Sequence, residues 1–469
     1  MLFNSLQFIF FFIVVTLAYF SLPHRGRIWL LLLASCYFYA VFKPIYILIL
    51  FVTIVVDYFA GIWIANATGS KRKWLLVLSL ITNIGFLAYF KYYNFLNTNL
   101  AIILAKFDTP TPFAFLDFAL PIGLSFHTFQ AMSYTIEVYR GNQKAEKDFI
   151  VYSLYVMFYP QLVAGPIERP QNMLWQFHSF FKYDFNNLKE GLMRIAWGMF
   201  KKVVIADRLA LMVDYCYDNP QDHNGLTLLI GTVFFTFQIY CDFSGYSDIA
   251  LGTARVMGFK LMENFDTPYF STSISEFWRR WHISLSGWFR EYLYIPMGGN
   301  RVSEGRKYFN RFFVMMMSGL WHGAAWTFVI WGALHGIYMI AAQLRDEYFK
   351  TKINIIPAFL RKPFNLLFTF VLVMLAWVFF RARGLGNAKI ILQKILSFGS
   401  YGTTINSPFN HVEMLFCWLL IAGLLLKEKF YKVIDTANTT RFYITFILLM
   451  VICYFFGVFE SNQFIYFQF

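Results

Sequence analysis

Long apolar stretches recur along this chain of 469 residues, and they limit its fold more than any other feature. Charged residues make up 14% and hydrophobic residues 58% of the chain, whereas soluble proteins have about 25% and 45–50%. A helix needs about 20 apolar residues to cross a bilayer. The pattern therefore predicts an all-α polytopic membrane protein, with candidate spans at residues 5–22, 28–42, 44–65, 74–92, 113–135, 151–165, 190–213, 226–244, 325–343, 364–380, 411–426 and 442–459. Two or three of these are short or polar enough to be re-entrant or interfacial, so we expect about eleven true spans.

The chain is basic, with 40 Lys and Arg against 26 Asp and Glu, a formal net charge of +14. The basic residues cluster between apolar runs, as is typical of the cytoplasmic loops of membrane proteins. No basic and aromatic tract lies in a soluble domain, so we expect no nucleic-acid partner. Arg25 and Arg27 follow the first span, and residues 71–73 (KRK) follow the third. The positive-inside rule then predicts an N-terminus outside the cytoplasm.

The five cysteines are scattered and form no CxxC pair or zinc-like spacing. This pattern indicates neither a disulfide framework nor a metal site. No Ser/Gly linker or low-complexity tract separates a soluble domain. We therefore expect one integral membrane domain over residues 1–469.

Residues 263–311 interrupt the apolar pattern with "ENFDTPYFSTSISEFWRRWHISLSGWFREYLYIPMGGNRVSEGRKYFNR". Seven basic residues from Arg279 to Arg311 interleave with Trp and Tyr. One interpretation is an amphipathic helix in the cytoplasmic interface, with aromatic residues at the headgroups and Arg on anionic lipids. The other is a cytoplasmic vestibule that binds an anionic ligand through Arg and aromatic stacking.

Two further polar islands lie at the ends of apolar runs. "FQIYCDFSGYSDIALG", residues 237–252, contains Asp242, Ser244 and Asp248. Six residues correspond to about 600° of helical rotation, so one continuous helix would present the two carboxylates on different faces, and Gly245 favours a break. Polar side chains at membrane depth either form hydrogen bonds between neighbouring helices or belong to a functional site. "YPQLVAGPIERPQ", residues 159–171, contains three prolines and Glu168, and predicts an irregular turn at a membrane face.

Two histidines lie within "SGLWHGAAWTFVIWGALHG", residues 318–336. His322 and His335 are 13 residues apart, about 1300° of rotation and about 20 Å of rise on one helix, which excludes a shared reacting atom. His322 lies between Gly319 and Gly323, where the backbone can bend and approach a ligand. His335 lies well inside the next span, and we expect it to be structural.

These stretches resemble the signature of the membrane-bound O-acyltransferase family. The resemblance rests on the 263–311 run, on "MSGLWHGAAWTFVIWGALHG", and on "IYCDFSGYSDIALG", "AGPIERP" and "FIYFQF". It is strongest to the bacterial branch that contains alginate O-acetyltransferases and teichoic acid D-alanyltransferases. The signature region is residues 263–323, and the resemblance covers nearly the whole chain.

The resemblance implies a helical membrane fold around a central funnel in which an acyl donor meets an acceptor. The family's near-invariant histidine falls on His322, and the second signature position falls on His282. Histidine near pH 7 is suited to act as general base for a hydroxyl, and backbone N–H groups around Gly323 or the His282 imidazole could stabilise the oxyanion. The residues predicted to bind substrate or donor are Trp281, Arg279, Arg290, Ser284, Trp321, Asp242 and Ser244.

The implied enzyme has no bound cofactor and uses acetyl coenzyme A as donor, with the Arg-rich run contacting its phosphates. Its expected location is the bacterial cytoplasmic membrane among lipids, and its expected acceptor is an exported or cell-wall polysaccharide, reached through a secreted SGNH-type partner. Two alternatives stay open at this point. One is D-alanyl transfer to teichoic acid from a carrier protein, and the other is a proton-coupled transporter or flippase.

Overall fold

The computed structural model describes residues 1–117, 121–163, 165–348, 357–431, 436–459 and 464. All regular structure within these ranges is helical, with no strand among them. This confirms the predicted all-α class. The first ten helices are α1 Leu6–Ser21, α2 His24–Ala40, α3 Tyr46–Asn66, α4 Gly69–Leu87, α5 Tyr93–Ala105, α6 Leu124–Arg140, α7 Phe149–Met157, α8 Tyr159–Leu162, α9 Pro170–Phe177 and α10 Phe185–Met199.

Ten further helices complete the described part of the chain. They are α11 Asp207–Asp218, α12 Gly225–Val256, α13 Ile274–Arg280, α14 Ile283–Phe289, α15 Glu304–His322, α16 Trp326–Tyr348, α17 Ala358–Arg381, α18 Leu385–Leu396, α19 His411–Phe430 and α20 Thr439–Phe456. Two π-helical segments, Ala88–Tyr92 and Phe200–Ala206, join consecutive helices, and a third, Arg290–Tyr294, extends α14. Short 3₁₀ turns occur at Pro220–Asp222, Pro268–Phe270 and Phe398–Ser400.

Six helical segments of the described chain are long and apolar enough to cross a bilayer. They are Tyr46–Asn66, Gly69–Ala105, Gly225–Val256, Trp326–Arg345, Phe359–Arg381 and Thr439–Phe456. Helix α1 is equally apolar but has 16 residues. A multi-span membrane protein is thus confirmed, and the count of about eleven stays a prediction.

Two of the predicted spans correspond to shorter helices. In the region 113–135, α6 begins only at Leu124, directly after Gly123, whose left-handed backbone with φ of 77° does not continue a helix. In the region 151–165, α7 ends at Met157, and Phe158 separates it from the short helix α8. Residues 165–169 have no helix, as expected for the proline-rich turn that holds Glu168.

The chain packs as two compact units. The first contains Met1–Ala196, Tyr246–Met262 and Thr436–Phe442, and the second contains Trp197–Gly245, Glu263–Asp435 and Tyr443–Phe469. Every residue of the 263–323 signature region belongs to the second unit. The single membrane domain expected from the sequence stays a prediction.

The break predicted at Gly245 is wrong, because α12 runs unbroken from Gly225 to Val256. The glycine serves close packing instead. A Cβ at this position would lie 2.8 Å from the carbonyl oxygen of Gly198 and 3.2 Å from the backbone nitrogen of Lys202. Its missing side chain therefore lets α12 pack directly against the backbone of residues 198–202.

Helices α15 and α16 form a tight hairpin that carries the two histidines of the 318–336 motif, His322 and His335. A Cβ at Gly319 would lie 2.3 Å from the carbonyl oxygen of Phe328, and one at Gly332 would lie 2.4 Å from that of Met315. Side chains are excluded at both positions, so the two helices pack backbone to backbone. This contact sets the position of His322, the last residue of α15.

Candidate active site

His322 lies at the C-terminal end of α15, immediately before Gly323 leaves the helix with an extended backbone. Its side chain is buried, with 4% of its surface exposed. Trp331 of α16 and Phe380 of α17 pack edge-on against the imidazole, with ring centroids 5.1 and 5.3 Å away. Helix α15 therefore ends at a histidine whose side chain is surrounded by aromatic rings.

His282 lies between α13 and α14, in a left-handed backbone conformation with φ of 44°. This conformation is uncommon outside glycine, although histidine is among the residues enriched there. Two backbone hydrogen bonds hold the turn on either side, from Ile283 N to Asn264 O and from Asp266 N to Arg280 O, each 2.9 Å long. The surrounding backbone thus fixes the direction in which the imidazole leaves the chain.

The imidazoles of His282 and His322 lie 6.4 Å apart, measured between ring centroids. His282 is fully buried and also packs edge-on against Phe243 at 4.6 Å and near Trp321 at 6.2 Å. Burial lowers the pKa of the His282 imidazole to about 3, because the charged form loses its hydration. His282 is therefore neutral at pH 7 and able to accept a hydrogen bond.

His335 belongs to a different environment. Its Nδ1 accepts a hydrogen bond of 3.2 Å from the indole Nε1 of Trp278, and its ring packs against Trp278 and Trp331 at 5.1 and 5.0 Å. The Trp331 ring thus contacts His335 as well as His322. A fully buried imidazole that accepts a hydrogen bond from an indole is typical of a histidine packed in a core. The structural role of His335 stays a prediction.

The predicted donor-binding residues divide between the surface and the core. Arg279 and Arg290 are exposed at the ends of α13 and α14. Trp281, Ser284 and Trp321 are buried, with 0, 0 and 4% of their surfaces exposed. The Trp281 indole lies inside an aromatic cluster with Phe265, Phe277 and Trp377 at centroid distances of 5.1, 5.5 and 5.0 Å. The binding roles of these residues stay predictions.

Asp242 and Ser244, on α12, contact two neighbouring lysines. Lys202 Nζ lies 2.6 Å from Asp242 Oδ1 and 2.8 Å from Asp207 Oδ1, forming a buried cluster of one cation and two carboxylates. Lys201 Nζ donates to Ser244 Oγ at 2.8 Å. Asp242 is therefore held by an ion pair, and its contact with substrate stays a prediction.

On the second polar island, Asp248 lies on another face of α12 and pairs with Arg194 at 3.0 Å. Asp242 and Asp248 have different partners, as the rotation along a continuous helix requires.

The structure adds three polar residues that the sequence analysis did not single out: Asn264, Lys201 and Lys202. The sequence could have indicated the lysines, because charged residues inside an apolar run such as 190–213 are normally paired with a polar partner. No sequence pattern indicated Asn264, because its partner His282 is 18 residues further along the chain and meets it only in the fold.

The arrangement can perform acid–base chemistry out of water. Two buried imidazoles lie 6.4 Å apart among aromatic rings, and a site that excludes water strengthens electrostatic interactions and limits hydrolysis. In the described ranges no three His, Cys, Asp or Glu side chains group in a way that could hold a metal ion.

Comparisons with known proteins identify the family of the chain. Residues 142–381 match the model of the membrane-bound O-acyltransferase family. The probable alginate O-acetylase of Pseudomonas aeruginosa is 40% identical over 430 residues, 91% of this chain and 81% of that protein. The peptidoglycan O-acetyltransferase of Helicobacter pylori is 37% identical over 84% of this chain and 79% of its own length. The teichoic acid D-alanyltransferase of Streptococcus thermophilus is 30% identical over 49% of this chain and 58% of its own length.

Proposed function

Because this chain belongs to the membrane-bound O-acyltransferase family, we propose that it transfers acetyl groups from acetyl coenzyme A towards hydroxyls of an exported or cell-wall polysaccharide. The chain is an O-acyltransferase that spans the membrane several times. The observation that carries the proposal is the buried pair His282 and His322, in a chain similar over most of its length to an alginate O-acetylase and a peptidoglycan O-acetyltransferase.

In the proposed reaction His322 is the general base. It takes the proton of the acceptor hydroxyl while the hydroxyl oxygen attacks the thioester carbonyl carbon. N–H donors near Gly323 stabilise the oxyanion of the tetrahedral intermediate. The carbon–sulfur bond then breaks, and the departing thiolate takes the proton back from His322. The histidine thus ends the cycle neutral, and the products are the ester and the free thiol.

The donor approaches from the cytoplasmic side of a bacterial inner membrane. Arg279 and Arg290 are exposed at helix ends close in sequence to His282, and guanidinium groups bind phosphates in a bidentate manner. We propose that they contact the phosphates of coenzyme A. The N-terminus lies outside in this orientation, as the basic residues after the first and third spans favour.

A relay would connect the two sides of the membrane. The donor is cytoplasmic and the acceptor polymer is exported, so the acetyl group must cross. We propose a secreted SGNH-type transferase as the partner that completes the transfer, on the basis of the resemblance to the bacterial branch.

The test uses inverted membrane vesicles that contain the full-length chain, supplied with acetyl-labelled coenzyme A. We expect His322-dependent acetyl transfer to a hydroxyl acceptor. His322→Ala should lower turnover by roughly two to four orders of magnitude, while His335→Asn serves as the matched control at a second buried histidine. Wild-type turnover by His322→Ala at equal amounts of protein would refute the assignment of the base.

D-alanyl transfer is the second candidate, favoured by the 30% identity to the teichoic acid D-alanyltransferase. That similarity covers 49% of this chain, against 91% for the alginate relative. Supplying the vesicles with a D-alanyl carrier protein in place of acetyl coenzyme A separates the two donors. Membership of an acyltransferase family favours both over the transporter alternative.

A further inference from the structure

Asn264 lies against His282 in a way that decides which imidazole nitrogen carries the hydrogen. Asn264 Oδ1 is 3.1 Å from His282 Nδ1, and it also contacts Ser284 N at 3.3 Å and Ser284 Oγ at 2.9 Å. Asn264, His282 and Ser284 are all buried, with 1% or less of their surfaces exposed. Water therefore does not compete for these hydrogen bonds.

The identity of the amide atom follows from the serine backbone. A backbone N–H can only donate, so the atom of Asn264 that faces Ser284 N must be the oxygen. An amide oxygen can only accept, and the hydrogen bond to it therefore requires a hydrogen on His282 Nδ1. A neutral imidazole has one N–H, which makes Nε2 the nitrogen with the lone pair.

This tautomer restricts what His282 can do in the proposed reaction. A neutral His282 cannot donate from Nε2 to the oxyanion, but its Nε2 can accept the hydrogen of a bound hydroxyl. We infer that Asn264 is a positioning residue, which keeps His282 Nε2 as a second hydrogen-bond acceptor for the hydroxyl beside His322. The proton still leaves the hydroxyl once, to His322, and passes from there to the departing thiolate.

The backbone geometry supports the same role. The left-handed turn at His282 directs the ring, and the hydrogen bond from Ile283 N to Asn264 O ties the two segments together beside the side-chain contact. The rings that pack against His282 include Phe243, Phe265, Trp321 and His322, and His322 is the titratable member of this group. Asn264 thus supplies a neutral acceptor and adds no charge to the pair.

The inference rests on the proposed function, and two variants test it in the acetyl transfer assay. Asn264→Leu removes the acceptor at similar size, and we expect kcat to fall by on the order of a hundredfold with KM little changed. Asn264→Asp keeps the acceptor and adds a negative charge, so we expect partial rescue, with the acid limb of the pH profile moved to higher pH. Asn310→Leu removes a buried amide that donates to Met297 O, and as matched control it should keep wild-type turnover per folded protein.

A second measurement reports the tautomer directly. In protein labelled with ¹⁵N-histidine, His282→Gln identifies the His282 signals by difference, and Nε2 should show the shift of an unprotonated nitrogen at neutral pH. Asn264→Leu should change that signal, while Asn310→Leu should not. Wild-type turnover in Asn264→Leu would overturn the inference. So would an Asn264→Asp variant that loses as much turnover as Asn264→Leu and keeps the wild-type pH profile. Absence of His322-dependent transfer in the wild type would instead refute the proposed function.

Discussion

The imidazoles of His282 and His322 lie at a centroid distance of 6.4 Å with their planes tilted by 53°, each buried among aromatic side chains. One ring leaves a left-handed turn before α14, and the other leaves the last residue of α15. A distance of this size allows one bound atom to contact both rings, so the two histidines should act on the same chemical step.

The double substitution His282→Ala with His322→Ala tests this shared step. Residues that act as a unit are not additive in their effects on rate. We therefore expect the double variant to lose about as much turnover as the more damaging single variant. Acetyl transfer is measured for the wild type, the two single variants and the double variant at equal amounts of folded enzyme, which completes a double-mutant cycle. Losses in activation free energy that add would mean independent roles.

His335 should matter for stability and little for catalysis. His335→Leu leaves the Trp278 indole N–H without its acceptor, a loss of about 1–3 kcal/mol. The oxygen of His335→Asn can occupy the place of Nδ1 and should recover most of that loss. Thermal unfolding in detergent measures stability, and turnover per folded protein should stay near wild type in both. A catalytic defect in His335→Asn that exceeds its loss of folded protein would contradict this separation.

Gly319→Ala should disturb the α15–α16 hairpin. The added methyl would lie 2.3 Å from the carbonyl oxygen of Phe328, a backbone atom, and relief of such overpacking typically costs about 1–3 kcal/mol. The shift displaces His322, so turnover should fall as well as the unfolding temperature. Gly305→Ala, in the same helix and with open space around it, is the matched control and should be neutral or slightly stabilising. Equal behaviour of the two variants would argue against the close contact.

Removing the positive charge of Lys202 should destabilise the protein. Lys202→Met leaves the carboxylates of Asp207 and Asp242 buried together, and breaking such a group typically costs about 3–5 kcal/mol. Adding Asp207→Asn and Asp242→Asn removes both charges and should restore much of the stability. The amount of folded protein in the membrane and the unfolding temperature measure the effect. A triple variant no more stable than Lys202→Met would indicate a role beyond charge balance.

Glu168 should make stability depend on pH. Burial raises the pKa of its carboxyl to about 7, although hydrogen bonds from Met262 N and Asn172 oppose the shift. A raised folded-state pKa means that the folded protein holds a proton that the unfolded chain has released. Stability is therefore lost as pH rises from about 4.5 to about 7, by about 3 kcal/mol. Glu168→Gln should remove this component from unfolding curves measured across that range, and an unchanged pH dependence would count against it.

The amino-acid sequence by itself determined the class of the molecule. Apolar runs long enough to span a bilayer are a local property, and each is read without knowing its neighbours. Helices α3, α12, α17 and α20 accordingly fall close to predicted spans. The family motif likewise pointed to His282 and His322, because motif residues keep their spacing along the chain.

Only the tertiary structure decided how these elements meet. It showed that Gly245 allows close packing within an unbroken α12, that Lys202 pairs with Asp242, and that Asn264 faces His282. Each of these facts depends on which side chains approach from distant parts of the chain. Helical period and composition report the local preference of a segment. Which nitrogen of a buried imidazole carries the hydrogen depends instead on the hydrogen-bond partner that tertiary packing places beside it.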